Sequence, residues 1–207
     1  MNKKFIADFT LLLVVFVWGS TFVIVQDAIS FLTPFSFNAI RFFIAFVILL
    51  SIYMIFTKKD KLHFTKDSIK SGFVIGTWLC FGYGFQTFGL LYTTPAKAGF
   101  ITGLSVVLVP LFSFLLLKYA LNRNIILGVI FAAAGLYMMT TMQTSSFSIG
   151  DFLVLLCAVS FAMHIIMTSK YAAKHHAMPL TILQIGVVSL LSFIGSLLFE
   201  EPSKMYR

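Results

Sequence analysis

The chain has 207 residues, 59% of them hydrophobic and 11% charged, with a formal net charge of +8. Soluble domains carry roughly 25% charged residues, so this chain lacks the polar surface to cover a water-soluble core and needs lipid as its solvent. The positive charge does not imply a nucleic-acid partner, because the lysines and arginines stand in short clusters between apolar runs, the arrangement that orients membrane proteins.

A spanning helix needs about 20 predominantly apolar residues. Seven stretches qualify, at roughly 9–29, 35–56, 72–92, 97–117, 124–142, 151–170 and 179–199. Short polar segments such as "TKKDKLHFTKDSIK", "YTTPAK" and "KYAAKHHAMP" separate them. No strand pattern competes, since barrel strands alternate and are about half as long. The first run follows Lys3 and Lys4 like a leader, but it continues past Trp18 to about Ile29 without a small-residue cleavage site. It reads as a true spanning helix. The expected fold is an all-α integral membrane protein of about seven transmembrane helices.

The charge distribution sets the orientation. One set of helix ends carries Lys3, Lys4, Lys58, Lys59, Lys61, Lys66, Lys70, Lys118, Arg123, Lys170 and Lys174. The other carries Lys97, with Lys204 and Arg207 in the tail. The positive-inside rule puts the N-terminus in the cytoplasm, in a multi-pass protein of the cell membrane. Seven crossings leave the C-terminus outside.

An internal match suggests the domain plan. "DFTLLLVVFVWG" (8–19) and "DFLVLLCAVSFA" (151–162) align Asp8, Phe9, Leu12 and Leu13 with Asp151, Phe152, Leu155 and Leu156. The next helix follows Pro34 in one case and Pro179 in the other. The expected domains are a five-helix unit over 1–143 and an incomplete second unit of two helices over 144–207. An odd unit inverts the second copy, the plan of many secondary transporters. On this reading the chain is a truncated form of a longer protein.

Four segments in order resemble a known family: "VWGSTFVIVQDAI" (17–29), "PFSFNAIRFFIAFVIL" (34–49), "GLLYTTPAKAGFITGLSVVLVPLFSFLLL" (89–117) and "LGVIFAAAGLYMM" (127–139). The set is similar to the EamA-like group of the drug/metabolite transporter superfamily. The resemblance implies ten helices in two inverted five-helix repeats that move small organic solutes across the cytoplasmic membrane. Two departures stand out. The second repeat stops after two helices, and the stretch after the fourth helix, "LKYALNRN", lacks the glutamate common there.

An ionisable group inside hydrocarbon marks a candidate functional site. The acidic residues, Asp8, Asp27, Asp60, Asp67, Asp151, Glu200 and Glu201, all fall near span ends, so none is expected to act as a proton relay at the bilayer centre. Arg41 is the strongest single candidate, about 9 Å into the second helix at 1.5 Å per residue. It pairs with Asp27, snorkels outward, ties helices together, or offers its donors to a solute carboxylate. Asn38, one turn away, shares its face. Lys97 opens the fourth span as a headgroup anchor or a positive lip. Gly72 and Gly76, and Gly99 and Gly103, have the spacing of close helix packing. Pro110 is expected to kink its helix and free the carbonyl of Val106, with Thr102 and Ser105 near enough to satisfy it.

Trp18 stands mid-span beside Gly19, Ser20 and Thr21, a cavity wall or plain packing. Tyr83, Gln86 and Tyr92 stripe the third helix, and Gln26 and Gln184 add amides that hydrogen-bond varied solutes. His164 is the mid-span group able to exchange a proton near neutrality, or a neutral hydrogen-bonding group. His175 and His176 are adjacent in a loop and carry little metal evidence; no metal or cofactor is expected. Cys80 and Cys157 lie in apolar runs and read as small buried hydrophobes.

No GxSxG, HExxH, CxxC or phosphate loop is present, so no enzyme or ATP-driven pump is expected. The leading expectation is a secondary transporter working by alternating access, with efflux favoured by the resemblance. Its partners are the bilayer and a small solute, and self-association is allowed. The competing expectation is a truncated, non-transporting membrane protein or structural partner.

Overall fold

The computed structural model describes residues 3–57, 64–118, 123–142 and 147–200. Among the described residues every regular element is a helix: α1 (Lys3–Ala28), α2 (Pro34–Phe56), α3 (Lys66–Gly89), α4 (Pro95–Gly103), α5 (Ser105–Leu117), α6 (Arg123–Met142), α7 (Ile149–Ala172) and α8 (Ala177–Phe199). The all-α membrane fold is thus as expected. Six of the seven expected spans are single helices, and the fourth is divided into α4 and α5.

Local sequence explains where the helices begin. Thr33 and Thr94 hold extended backbone, and Pro34 and Pro95 follow in the first turn, where a missing N–H removes no helical bond. Thr94 Oγ1 accepts from the Lys97 amide at 3.3 Å. α3 and α7 open with reciprocal capping boxes, Thr65 with Ser68 and Ser148 with Asp151.

Among the described residues five stretches are long and apolar enough to cross a membrane: Phe5–Ala28, Pro34–Phe56, Pro95–Leu116, Ile149–Ala172 and Ala177–Phe199. α6 contributes a shorter apolar run, Arg123–Gly135. α3 has 24 residues but is less apolar, for a reason its packing supplies. It lies against α7, α8 and α2, and buries Ser68, Ser71, Gln86 and Thr87 against protein. A helix enclosed by other helices tolerates polar groups that lipid would reject.

Glycines permit that enclosure. A Cβ on Gly72 would lie 2.5 Å from Leu183 Cβ, and one on Gly76 would lie 2.6 Å from Val187 Cβ, both on α8. On the side toward α7, a Cβ on Gly82 would lie 2.4 Å from the Phe161 ring, and one on Gly89 would lie 2.6 Å from Val154. Without glycine these backbones could not approach so closely. The matching expectation for α4 fails. A Cβ on Gly99 would make only ordinary contact with Phe22 at 3.8 Å, and one on Gly103 would meet nothing within 4 Å.

Pro110 lies inside α5, and an interruption of the span falls six residues earlier, at Leu104. There the Leu104 N–H bonds to Ile101 O at 3.1 Å, and the Val107 and Leu108 N–H groups both take Leu104 O at 2.9 Å. The proline ring crowds the carbonyl of Val106, one turn earlier.

α1 is the least enclosed helix. Residues 5–20 are exposed, whereas Phe22, Val25 and Ile29 join Leu90, Ala98, Ile101 and Val154 in one apolar core. α4 and α5 pack on α7, and α2 runs along α8.

Candidate solute site and its surrounding polar ties

Arg41 on α2 and Tyr83 on α3 form the centre of the candidate site. The Arg41 guanidinium carbon lies 4.7 Å from the Tyr83 ring centre, 4.7 Å from Phe42 and 5.0 Å from Phe37. Its Nε and Nη2 are buried and make no hydrogen bond. The expected pairing with Asp27 is not formed, and Asp27 is exposed on α1. Rings extend the wall: Tyr83 meets Phe161 edge-on at 5.2 Å, and Phe161 meets Trp18 at 6.4 Å. Trp18 is 42% exposed, so it borders this wall from outside the core. A guanidinium held by π-faces, with donors left open, is chemically suited to a planar anion such as a carboxylate.

A layer of neutral polar groups lies next to the rings. Asn38 exchanges hydrogen bonds with Thr87, donating from Nδ2 at 3.1 Å and accepting at Oδ1 at 3.2 Å. Gln86 Nε2 donates to Thr102 Oγ1 at 3.4 Å, and Thr102 meets Cys157 Sγ at 3.9 Å. Asn38, Gln86, Thr87, Thr102 and Cys157 are all buried. Their groups largely satisfy one another, so Arg41 is the member left with unmet donors.

His164 and Gln184 form a separate pair that joins α7 to α8, with Nε2 and Oε1 2.8 Å apart and Thr168 Oγ1 3.4 Å from the same nitrogen. With Oε1 as acceptor, Nε2 carries the proton. His164 is one turn from Phe161, so it adjoins the ring wall. Tyr92 is exposed. Gln26 is spent on structure, donating to Leu90 O at 2.8 Å and Thr93 O at 2.9 Å.

Lys97 is neither a headgroup anchor nor an exposed lip. It is 5% exposed, and its Nζ lies 3.4 Å from Asp151 Oδ2. Asp151, 1% exposed, also accepts from the Thr93 hydroxyl, and from the Ser148 amide at 2.9 Å. Sequence reasoning placed Lys97 and Asp151 at helix starts on the same side of the membrane but missed their pairing. "SIGD" carried the capping signal, yet nothing in one sequence shows that α4 and α7 are neighbours. Glu200 was missed likewise. Its carboxylate accepts from the Phe35 amide at 2.7 Å, the Ser36 amide at 3.0 Å, Ser36 Oγ at 2.8 Å and Thr33 Oγ1 at 2.5 Å. It thus holds the positive end of α2.

Two apolar grooves of about 670 and 630 Å³ run along the flanks. One lies between α2 and α8 beside Phe43, Phe46 and Phe193, and the other is bounded by α3 and α8 beside Phe81, Phe85 and Phe199. Neither includes a candidate site residue. Their linings suit acyl chains rather than polar solutes. A third cavity, about 440 Å³ and half polar, is lined by Asp67, Lys70, Ser71, Tyr171, Lys174 and His175. Among the described residues no group of three or more His, Cys, Asp or Glu is arranged to hold a metal ion.

The chain has known relatives. It is 39% identical over 191 residues to an uncharacterized transporter of Archaeoglobus fulgidus, covering 92% of this chain and 58% of that protein. It is 28% identical over 193 residues to the uncharacterized transporter YyaM of Bacillus subtilis, covering 89% of this chain and 62% of that one. A third relative, YoaV of Bacillus subtilis, also an uncharacterized transporter, is 29% identical over 202 residues, with 90% and 65% covered. The chain therefore spans about three fifths of the length of these relatives. No solved structure matches. The family profile described as the EamA-like transporter family matches residues 5–141, and this chain belongs to that family.

Proposed function

We propose that the protein is a secondary transporter that moves small organic solutes, metabolites or drugs, across the cytoplasmic membrane by alternating access, in the efflux direction. The N-terminus lies in the cytoplasm and the fold comprises a five-helix unit followed by the start of an inverted second unit. The observation that carries the reading is Arg41: a buried guanidinium in a collar of Phe37, Phe42 and Tyr83, with Nε and Nη2 unmet, in a chain of a transporter family. Unmet donors in an apolar interior are costly, and a solute carboxylate would satisfy both at once. The solute's apolar body would lie along Tyr83, Phe161 and Trp18, with Asn38, Gln86 and Thr102 as adjoining polar groups. Pro110 and the break at Leu104 supply a discontinuous helix beside this region. The His164–Gln184 pair is the candidate for proton exchange during transport.

Flux in vesicles containing the purified protein tests this reading. A panel of aromatic and aliphatic carboxylates should yield at least one transported solute, with Arg41→Ala abolishing its flux and Arg41→Lys weakening it, because an ammonium lacks the planar fork. No flux above protein-free vesicles across the panel, or equal flux by wild type and Arg41→Ala, refutes it.

A further inference from the structure

The two ends of the bundle are closed by different chemistry. By the charge rule, the end with Thr33, Lys97, Asp151 and Glu200 is the outer one, and the end with Ser71 and His175 is the inner one. At the outer end two buried or half-buried carboxylates from residues 147–200 grip residues of the preceding segment. Asp151 takes Lys97 Nζ and the Thr93 hydroxyl, which ties α7 to α4 and to the α3–α4 connection. Glu200 takes two amides and two hydroxyls at the start of α2, and Ser36 Oγ meets Ser196 Oγ at 2.7 Å beside it. Gln26 completes the seal by binding Leu90 O and Thr93 O from α1.

The inner end shows no comparable carboxylate tie among the described residues. There α3 and the α7–α8 connection meet through Ser71 Oγ and His175 Nε2 at 3.1 Å, and a half-polar cavity of about 440 Å³ opens beside that bond. Asp67 and Lys174 line the cavity.

The placement matters because Arg41 lies between the two ends. At 1.5 Å per residue, Asp151 and Lys97 are within about 3 Å of the starts of α7 and α4, whereas Arg41 is about 10 Å into α2. A solute leaving Arg41 outward would have to pass the level of the Asp151 and Glu200 ties.

We propose that Asp151 and Glu200 form a two-point outer gate, and that the structure is an outward-closed state of the cycle. The proposal rests on the alternating-access reading above. Outward opening separates Asp151 from Lys97 and Thr93 and releases Glu200 from the N-terminus of α2. Both carboxylates and Lys97 then exchange protein partners for water. Because each tie has several partners, the gate switches between made and broken states rather than yielding gradually.

Thiol accessibility tests the gate without any solute. In a background with Cys80→Ser and Cys157→Ala, Ala98→Cys reports the buried outer side and Ser71→Cys the inner cavity. A membrane-impermeant maleimide is applied from one side at a time to oriented vesicles. Asp151→Ala and Glu200→Ala should raise labelling of Ala98→Cys from outside by about threefold or more, since removing ties favours the open population. Labelling of Ser71→Cys from inside should fall. His175→Ala, made with the Ala98→Cys reporter, should leave outer labelling unchanged. Asp151→Asn and Glu200→Gln serve where the alanine variants lose their melting transition. Unchanged outer labelling overturns the proposal, and so does a rise at both ends at once, which is a loosened bundle. Arg41→Ala, which the solute reading predicts to stop flux, should leave both labelling rates at the wild-type level. Loss of the gate signal and loss of the solute site are therefore read separately.

Discussion

Removing one member of the Lys97–Asp151 pair leaves the other charge buried. The magnitude follows from the surroundings. Asp151→Ala takes the counter-charge from the Lys97 ammonium, 5% exposed, and also deprives the Thr93 hydroxyl and the Ser148 amide of their acceptor. Breaking a buried pair in this way costs about 3–5 kcal/mol. Lys97→Met is milder, because Asp151 keeps Thr93, Ser148 and the positive end of α7; about 2–3 kcal/mol is expected. The double variant Lys97→Met with Asp151→Ala removes both charges and should cost less than the sum of the singles, with a coupling of about 1–3 kcal/mol. Reversible unfolding in mixed micelles, followed by circular dichroism, gives all four corners of the cycle. Single variants within about 0.5 kcal/mol of wild type, or an additive double variant, would show that water or lipid headgroups reach this pair and that it ties nothing together.

Two further outcomes follow from geometry. Gly82→Ala places a Cβ 2.4 Å from the Phe161 ring and should destabilise by about 1–3 kcal/mol through overpacking, while Gly84→Ala, with nothing within 4 Å, should be neutral or slightly stabilising in the same melting assay. Glu200→Gln keeps the shape but removes the charge at the start of α2, and should lower stability by about 1–2 kcal/mol; a high-salt melt that erased the difference would assign it to screened surface electrostatics instead.

The membrane fold was legible because it depends on one strong term. Apolar runs of about 20 residues have only one favourable solvent, and each run must satisfy its own backbone, so helices follow from composition and length alone. Helix starts were legible too: Thr33–Pro34 and Thr94–Pro95 act within four residues, where chain connectivity guarantees contact. Gly72 and Gly76 were correctly read as packing positions. Gly99 and Gly103 show the same spacing without the contact, since a small-residue pattern states only what an approach requires and not whether a neighbour arrives.

The charged groups divide most clearly along this line. Sequence fixed the level in the membrane of Arg41, Lys97, Asp151 and Glu200 through their distance from helix ends. Tertiary packing alone chose their partners. It gave Lys97 to Asp151, 54 positions away, turned Glu200 onto the first turn of α2, and left Arg41 among aromatic rings with open donors. A side chain's depth is set by counting along one helix. Its partner is set by which helices the glycines of α3 allow to come together, a property of several segments at once.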